Sequence, residues 1–283
     1  MKGKKVLILE GGGFRTGFSA GVMDAFHDNN HRDFDGYIGV SGGTVAVSYF
    51  LSEQRHKYID ALCHLVNDSN FIKMTRAFNK KGIMDIDYFH EVSGTIIPFD
   101  FDLALKNIES KELIFVLTHR KTGTPYYFSP SRDNWISSSI ASCTLPVVTK
   151  GKHHFDGDEY FDGGWSDAIP VKWAYENGAK EITVVRTKQI SDLQSKSILN
   201  KLAAFGSRKN DVLREVFNTN HERYNQTLEF MKNPPKDLII HQIAPDKPLA
   251  SGGLAKSTDE LLSDHSMGVR LGNAFLVRVG IRL

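Results

Sequence analysis

The chain has 283 residues, of which 41% are hydrophobic and 24% charged, enough apolar material for a full core and too much for a disordered polymer. Its 35 basic and 33 acidic residues nearly cancel, so nothing in the overall charge calls for nucleic acid or an anionic membrane as an obligatory partner. Two cysteines, Cys63 and Cys143, are too few for a disulfide scaffold and too far apart for a zinc pattern, and they read as small hydrophobes kept reduced.

In chain order, residues 6–9 form a continuous apolar run, the signature of a strand buried on both faces. The run is too short for the core of a signal peptide, and no later stretch approaches a membrane span. The expectation is a cytoplasmic protein that touches a membrane surface transiently at most. Three glycines end the strand, and Phe18, Val22, Ala25 and Phe26 then recur at helical spacing. A second short strand covers 35–40, a turn 41–43, and helices 44–51 and 57–66. Residues 70–112 show no clear period. A strand at 113–118 and its partner at 125–129 form a hairpin, followed by a helix over 135–141. Pro170 opens a helix that Gly178 ends, and 182–185 is another buried strand. Helices are expected over 198–217 and 222–231, a strand over 238–243, and a closing helix from Ser257, spaced from Glu260 as a capping box. Strands alternating with helices predict an α/β fold. Residues 1–190 are expected to form the core, and 191–283 a mainly helical extension packed on the same domain.

Three motifs carry chemistry. Gly39-Val40-Ser41-Gly42-Gly43 fits the nucleophile elbow, in which a serine sits on a sharp strand-to-helix turn and glycines on both sides relieve the crowding. Gly11-Gly12-Gly13-Phe14-Arg15 lies between a strand and a helix, where successive N–H groups can converge on an oxyanion. A dinucleotide loop is the weaker reading of that segment, because Thr16 stands at the third glycine and no acid ends the second strand. Arg15 opposes the macrodipole at a helix start, so it is better explained by steadying the loop or attracting a phosphate than by stability. Asp162-Gly163-Gly164 is by itself an ordinary turn, but beside the other two motifs it offers a base for the serine.

Together and in this order, the motifs resemble the bacterial branch of the patatin-like phospholipase family. That family pairs a glycine-rich loop after the first strand with a serine elbow after the second and an aspartate in a D-G-G or D-G-A turn. Ala141-Ser142 with Pro146, and Pro170, are similar to the family as well, and the likeness covers residues 6 to about 186. The resemblance implies a three-layer α/β/α sandwich with a mainly parallel central sheet. It also implies hydrolysis of lipid acyl esters by a Ser41–Asp162 dyad, an oxyanion loop at Gly11, Gly12, Gly13 and Arg15, and no metal or cofactor. The chain departs from the pattern at Thr16, where the family loop has glycine. If that glycine uses a positive φ, the loop here must bend differently.

Three rivals share the residues. A Ser–Asp–His triad would draw its histidine from His221, His241 or His265, none of which sits in a convincing loop after a strand. His153-His154 near Asp156 and Asp158 could bind a metal, but an exposed polar loop is the commoner explanation. A binding protein without turnover, holding a lipid or a phosphorylated ligand, would keep the same fold. Transfer of the acyl group to an alcohol instead of water also stays open. Phe14, Phe18, Phe71 and Ile72 are candidates for a lipid entrance or for plain core, with core preferred for Phe18.

Overall fold

In the computed structural model, β1 (Lys4–Leu9) is the centre of the molecule, and its residues alternate between two hydrophobic cores. Leu7 and Leu9 face one core, Val6 and Ile8 the other, and all four are fully buried. That period of two explains the unbroken apolar run: a strand covered on both faces has no polar side to show. The structure describes residues 4–76, 81–146, 148–255 and 257–282, and for His90 only the backbone.

The remaining elements are α1 (Thr16–Asp28), β2 (Gly36–Val40), α2 (Gly42–Leu51), α3 (Lys57–Asn67), α4 (Ile86–Glu91), α5 (Phe101–Asn107), β3 (Glu112–His119), β4 (Pro125–Phe128), α6 (Trp135–Cys143), β5 (His153–Phe155), β6 (Asp158–Asp162), α7 (Val171–Glu176), β7 (Ala179–Val185), α8 (Ile198–Gly206), α9 (Asp211–Lys232), β8 (Ile239–Ile243) and α10 (Thr258–Arg278). The sheet runs β5-β6-β3-β2-β1-β7-β8, with β4 also paired to β3. From β3 to β8 the pairings are parallel, while β4, β6 and β5 are antiparallel. Helices α1, α2, α3 and α10 contribute to one core, and α7 and α9 to the other. This is the three-layer, mainly parallel architecture expected.

The handover along β3 positions the site. One edge of β3 is taken by β4, which pairs with Phe115 through Thr118. On the other edge β2 pairs as far as Val40 opposite Val116, and β6 takes over with Asp162 opposite Leu117. The residue after Val40 is Ser41, so the end of one strand and the end of another meet at the same point on a shared neighbour.

Two expectations are corrected. Residues 153–158 are not a polar exposed loop but part of a β5–β6 hairpin; His153 is half-buried beside Ser137 and its ring is pushed down to about 4 by burial. The break between the late helices falls at 207–210 rather than near 220. There the Asn210 side chain accepts the Leu213 N–H and caps α9, while Asn218–His221 stay helical. The stretch without a clear period, 70–112, holds the short helices α4 and α5, each started by an aspartate cap, Asp85 and Asp100.

The chain's last strand, β8, extends the sheet beyond β7, and α10 lies directly on α1. A Cβ on Gly21 would lie 2.0 Å from the His265 carbonyl oxygen, and one on Gly268 would lie 2.1 Å from that of Phe18. The two backbones therefore touch, and only glycine fits at the crossing. Gly268→Val is expected to lower stability by about 3 kcal/mol through this overpacking, measured by urea unfolding. Loss below 1 kcal/mol would mean that α10 can shift without cost.

Candidate active site

Ser41 ends β2 and stands immediately before α2, with φ 55° and ψ −131°, a conformation that costs a non-glycine residue on the order of 1–3 kcal/mol. Its neighbours hold it there. The Ser41 N–H donates to Ser142 Oγ at 2.9 Å, and Ser142 Oγ donates on to the Val116 carbonyl at 2.7 Å. The Ser41 carbonyl accepts from both the N–H and the hydroxyl of Thr44. Gly43 lies so close to β1 that a Cβ would come within 2.2 Å of the Leu9 carbonyl oxygen, and Gly39 sits directly beneath Thr44. The elbow is therefore tied to β1, β3 and α6 at once. Ser142, part of the Ala141-Ser142 pair that resembles the family, is the bridge between the elbow and the sheet.

Asp162 ends β6. Its backbone N–H donates to the Thr144 carbonyl and its carbonyl accepts from Thr118 Oγ1. Its carboxylate divides its work: Oδ1 accepts the Gly164 N–H at 2.7 Å, and Oδ2 accepts the Ser41 hydroxyl at 2.5 Å. Gly163 is pressed against the Val116 carbonyl, which keeps the turn tight against β3. Burial, only partly offset by these two donors, pushes the Asp162 carboxyl up to about 7. Its only opposing influences among the described residues are the Ser41 and Gly164 donors.

Above the serine runs the glycine loop. Gly11 touches Ser41 directly, and Gly12, Gly13 and Arg15 line the same cavity of about 530 Å³ as Ser41 and Asp162. Among the described residues the N–H groups of Gly12 and Gly13 donate no hydrogen bond, while Phe14 and Arg15 donate to Gly253 and Gly12 carbonyls. Thr16 adopts an ordinary helical φ of −68°, so its Cβ brings no strain. Its hydroxyl, bonded to the Gly13 carbonyl at 2.6 Å and shared with Tyr58 at 2.6 Å, ties the loop to α3.

Several residues that sequence reading passed over surround this core. Glu10, buried at the end of β1, accepts the Thr187 N–H on one oxygen and the Tyr224 hydroxyl on the other, each at 2.7 Å. Thr187 Oγ1 in turn holds the Gly11 carbonyl at 2.6 Å. The loop is thus anchored to the end of β7 and to α9. Lys188 lies over the Tyr224 ring and lines the cavity; burial pulls its amine down to about 8. Burial dominates at Lys188 although the Glu10 and Asp192 carboxylates pull the other way, and the Arg15 Nε is buried without a hydrogen bond. No local motif announces this group, because Glu10, Lys188 and Tyr224 are far apart in the chain.

On the other side of Ser41 a narrow apolar pocket opens between α2, α3 and α4, lined by Phe14, Leu62, Leu65, Phe71, Ile86 and Phe89. Phe14 and Phe71 meet edge to face there, whereas Phe18 is core and Ile72 only packs against it. Cys143 shares this pocket, and burial raises its thiol, so it stays protonated at neutral pH.

None of the three candidate histidines lines either space. His221 is on α9 beside Glu222, and His241 on β8 faces Glu181 with its ring near Phe275. His265 on α10 is bonded to Asp24 at 2.7 Å, with His56 on the same carboxylate. His154 contacts Glu159 at the edge hairpin.

The cavity of this α/β/α sandwich holds a strained serine against a buried carboxylate, with an apolar pocket alongside. The chain belongs to the patatin-like phospholipase family, whose model matches residues 7–175. Residues 212–283 match a second family, a domain of unknown function (DUF6363). The uncharacterized protein YjjU of Escherichia coli (strain K12) is 30% identical over 280 residues, covering 98% of this chain and 78% of its own. The crystal structure of VipD from Legionella pneumophila superposes with a TM-score of 0.45 and 10% identity, over 97% of this chain and 67% of that one, a likeness too distant to inform the site. No helix among the described residues is long and apolar enough to cross a membrane.

Proposed function

We propose that the protein hydrolyses the acyl esters of phospholipids or lysophospholipids, with Ser41 as nucleophile and Asp162 as its base. The observation that carries this reading is the 2.5 Å hydrogen bond from Ser41 Oγ to Asp162 Oδ2 in a site that raises the carboxyl to about 7. A carboxylate of ordinary basicity would be a poor acceptor for a hydroxyl proton; burial makes this one a better match for neutral pH. In the acylation step the Oγ–H proton passes to Oδ2 as Oγ attacks the ester carbonyl. The charge that develops on the carbonyl oxygen is met by the free N–H groups of the glycine loop and by the N-terminal end of α2. The proton then leaves with the alcohol. A water takes the alcohol's place and gives its proton to Asp162 as its oxygen attacks the acyl carbonyl; the acyl C–Oγ bond then breaks, Asp162 returns the proton to Ser41 Oγ, and the fatty acid leaves.

The apolar pocket beside Ser41 suits an acyl chain. Arg15 and Lys188, which line the larger cavity beside Ser41, suit a headgroup phosphate. That pairing favours a phospholipid over a glyceride. The direct test is a fluorophosphonate probe, which labels an activated serine. One adduct per chain is expected, located at Ser41 by peptide mass spectrometry, together with fatty acid release from phosphatidylcholine or its lyso form. Folded protein that takes no label and releases no fatty acid from either lipid would refute the proposal.

A further inference from the structure

Helix α8 is amphipathic in an unusual sense, with an apolar stripe on each side. Ala203, Ala204 and half-buried Leu199 pack against α9 and the turn after β6. On the outward face Ile198, Leu202 and Phe205, spaced by four and three residues, form a second stripe, exposed to 76%, 50% and 68%. Ile190 and Leu193 in the segment before the helix are exposed to 59% and 73%. Single exposed apolar side chains need no explanation, but five within sixteen consecutive residues do. Residues 189–209 also hold four basic side chains, Lys196, Lys201, Arg208 and Lys209, against one acid, Asp192. In a chain whose overall charge is +2, this is a local concentration of positive charge.

We propose that this outward face of α8, with the segment before it, docks on the surface of an anionic lipid bilayer. Large apolar side chains inserting at the headgroup boundary, flanked by lysines and arginines, are what such an interface requires. Its place in the fold supports the assignment. Leu199, one position from Ile198 in the same helix, lines the cavity that holds Ser41, and Gln194 in the preceding segment lines it as well. A bilayer seated on this face would lie at the rim of that cavity, where a lipid has the shortest path to the serine. The inference rests on the lipid-hydrolase reading for its purpose but not for its test.

The test uses the full chain carrying Ser41→Ala, so that no lipid is consumed, co-sedimented with vesicles. Vesicles of phosphatidylcholine with phosphatidylglycerol are expected to bind it at least ten-fold more strongly than phosphatidylcholine alone, with the preference lost at high salt. The variant I198S/L202S/F205S, confirmed as folded by circular dichroism, is expected to lose binding to both. K201E/R208E/K209E is expected to lose only the anionic preference. Undiminished binding by the serine variant, or no binding by the parent, overturns the proposal. So does a dimer that the serine substitutions dissociate, because a second copy would then cover the face. In the otherwise native enzyme the serine variant should keep its turnover of a soluble p-nitrophenyl ester while losing hydrolysis of vesicle lipid. Absence of soluble-ester turnover in the native enzyme would count against the hydrolase reading and leave vesicle binding to be judged separately.

Discussion

Ser41→Ala is expected to lower acyl-ester hydrolysis by about 10,000-fold, and Asp162→Asn by a similar factor, with the double variant no worse than either alone. The non-additivity follows from the bond between them: the hydroxyl is useful only with its base, and the base only with a hydroxyl to deprotonate. Both substitutions are small and leave the cavity wall in place, so kcat should fall and KM change little. Turnover of a medium-chain p-nitrophenyl ester measures this, with folding checked for each variant. A third variant removes His221, His241 and His265 together by alanine and should keep most of the activity, since none of the three lines the cavity. If that variant stays folded and loses turnover as completely as Ser41→Ala, the base is a histidine and the dyad is wrong.

The second large effect concerns pH. For activity, Asp162 must be ionised to accept the proton. With its carboxyl pushed up to about 7, kcat/KM should fall about ten-fold per unit below that pH and level off above it. Stability should move the opposite way. The folded carboxyl has a value of about 7 and the ordinary one is 3.8, so between those values the folded chain binds more protons than the unfolded chain. Stability therefore falls as pH rises through that window and stays lower above it. The size is on the order of 4 kcal/mol for a fully buried group, about 1.36 kcal/mol per unit. Asp162→Asn removes the cost. Its amide can still accept from Gly164 and donate to Ser41, so the variant should be more stable than wild type at pH 8 and equal to it near pH 4, by urea unfolding. Asp167, also buried and raised to about 6, titrates in the same window in both proteins and cancels in the difference. An inactive variant that gains nothing at pH 8 would show that the site is wetter than the structure indicates.

Legibility differed sharply between parts of the molecule. The strands β1, β2 and β7 were read from short apolar runs because each is covered on both faces, and burial leaves no choice of residue type. The elbow, the glycine loop and the aspartate turn were read because each is contiguous, with glycine placed where the backbone is crowded. The β5–β6 hairpin was missed because an edge hairpin keeps polar residues outward, and His153, Asp156 and Asp158 imitate a loop. The end of α8 was missed because the polar run 218–221 looked like the weaker point; in the folded chain Asn220 and Thr219 are held by Asn200 and Arg223.

By itself, then, the sequence determined the layered α/β architecture and the family, and it singled out Ser41 and Asp162 as candidates, because these depend on local patterns of burial and turn chemistry. Only the tertiary structure decided that Ser41 and Asp162, 121 positions apart, come within 2.5 Å, through the handover of one β3 edge from β2 to β6. It alone decided that Glu10 and Tyr224 brace the glycine loop, that Lys188 and Arg15 line the same cavity as Ser41, and that the Asp162 carboxyl is buried enough to be pushed up to about 7. Those are properties of distance and solvent exclusion, and both arise from which elements pack together rather than from what any one segment contains.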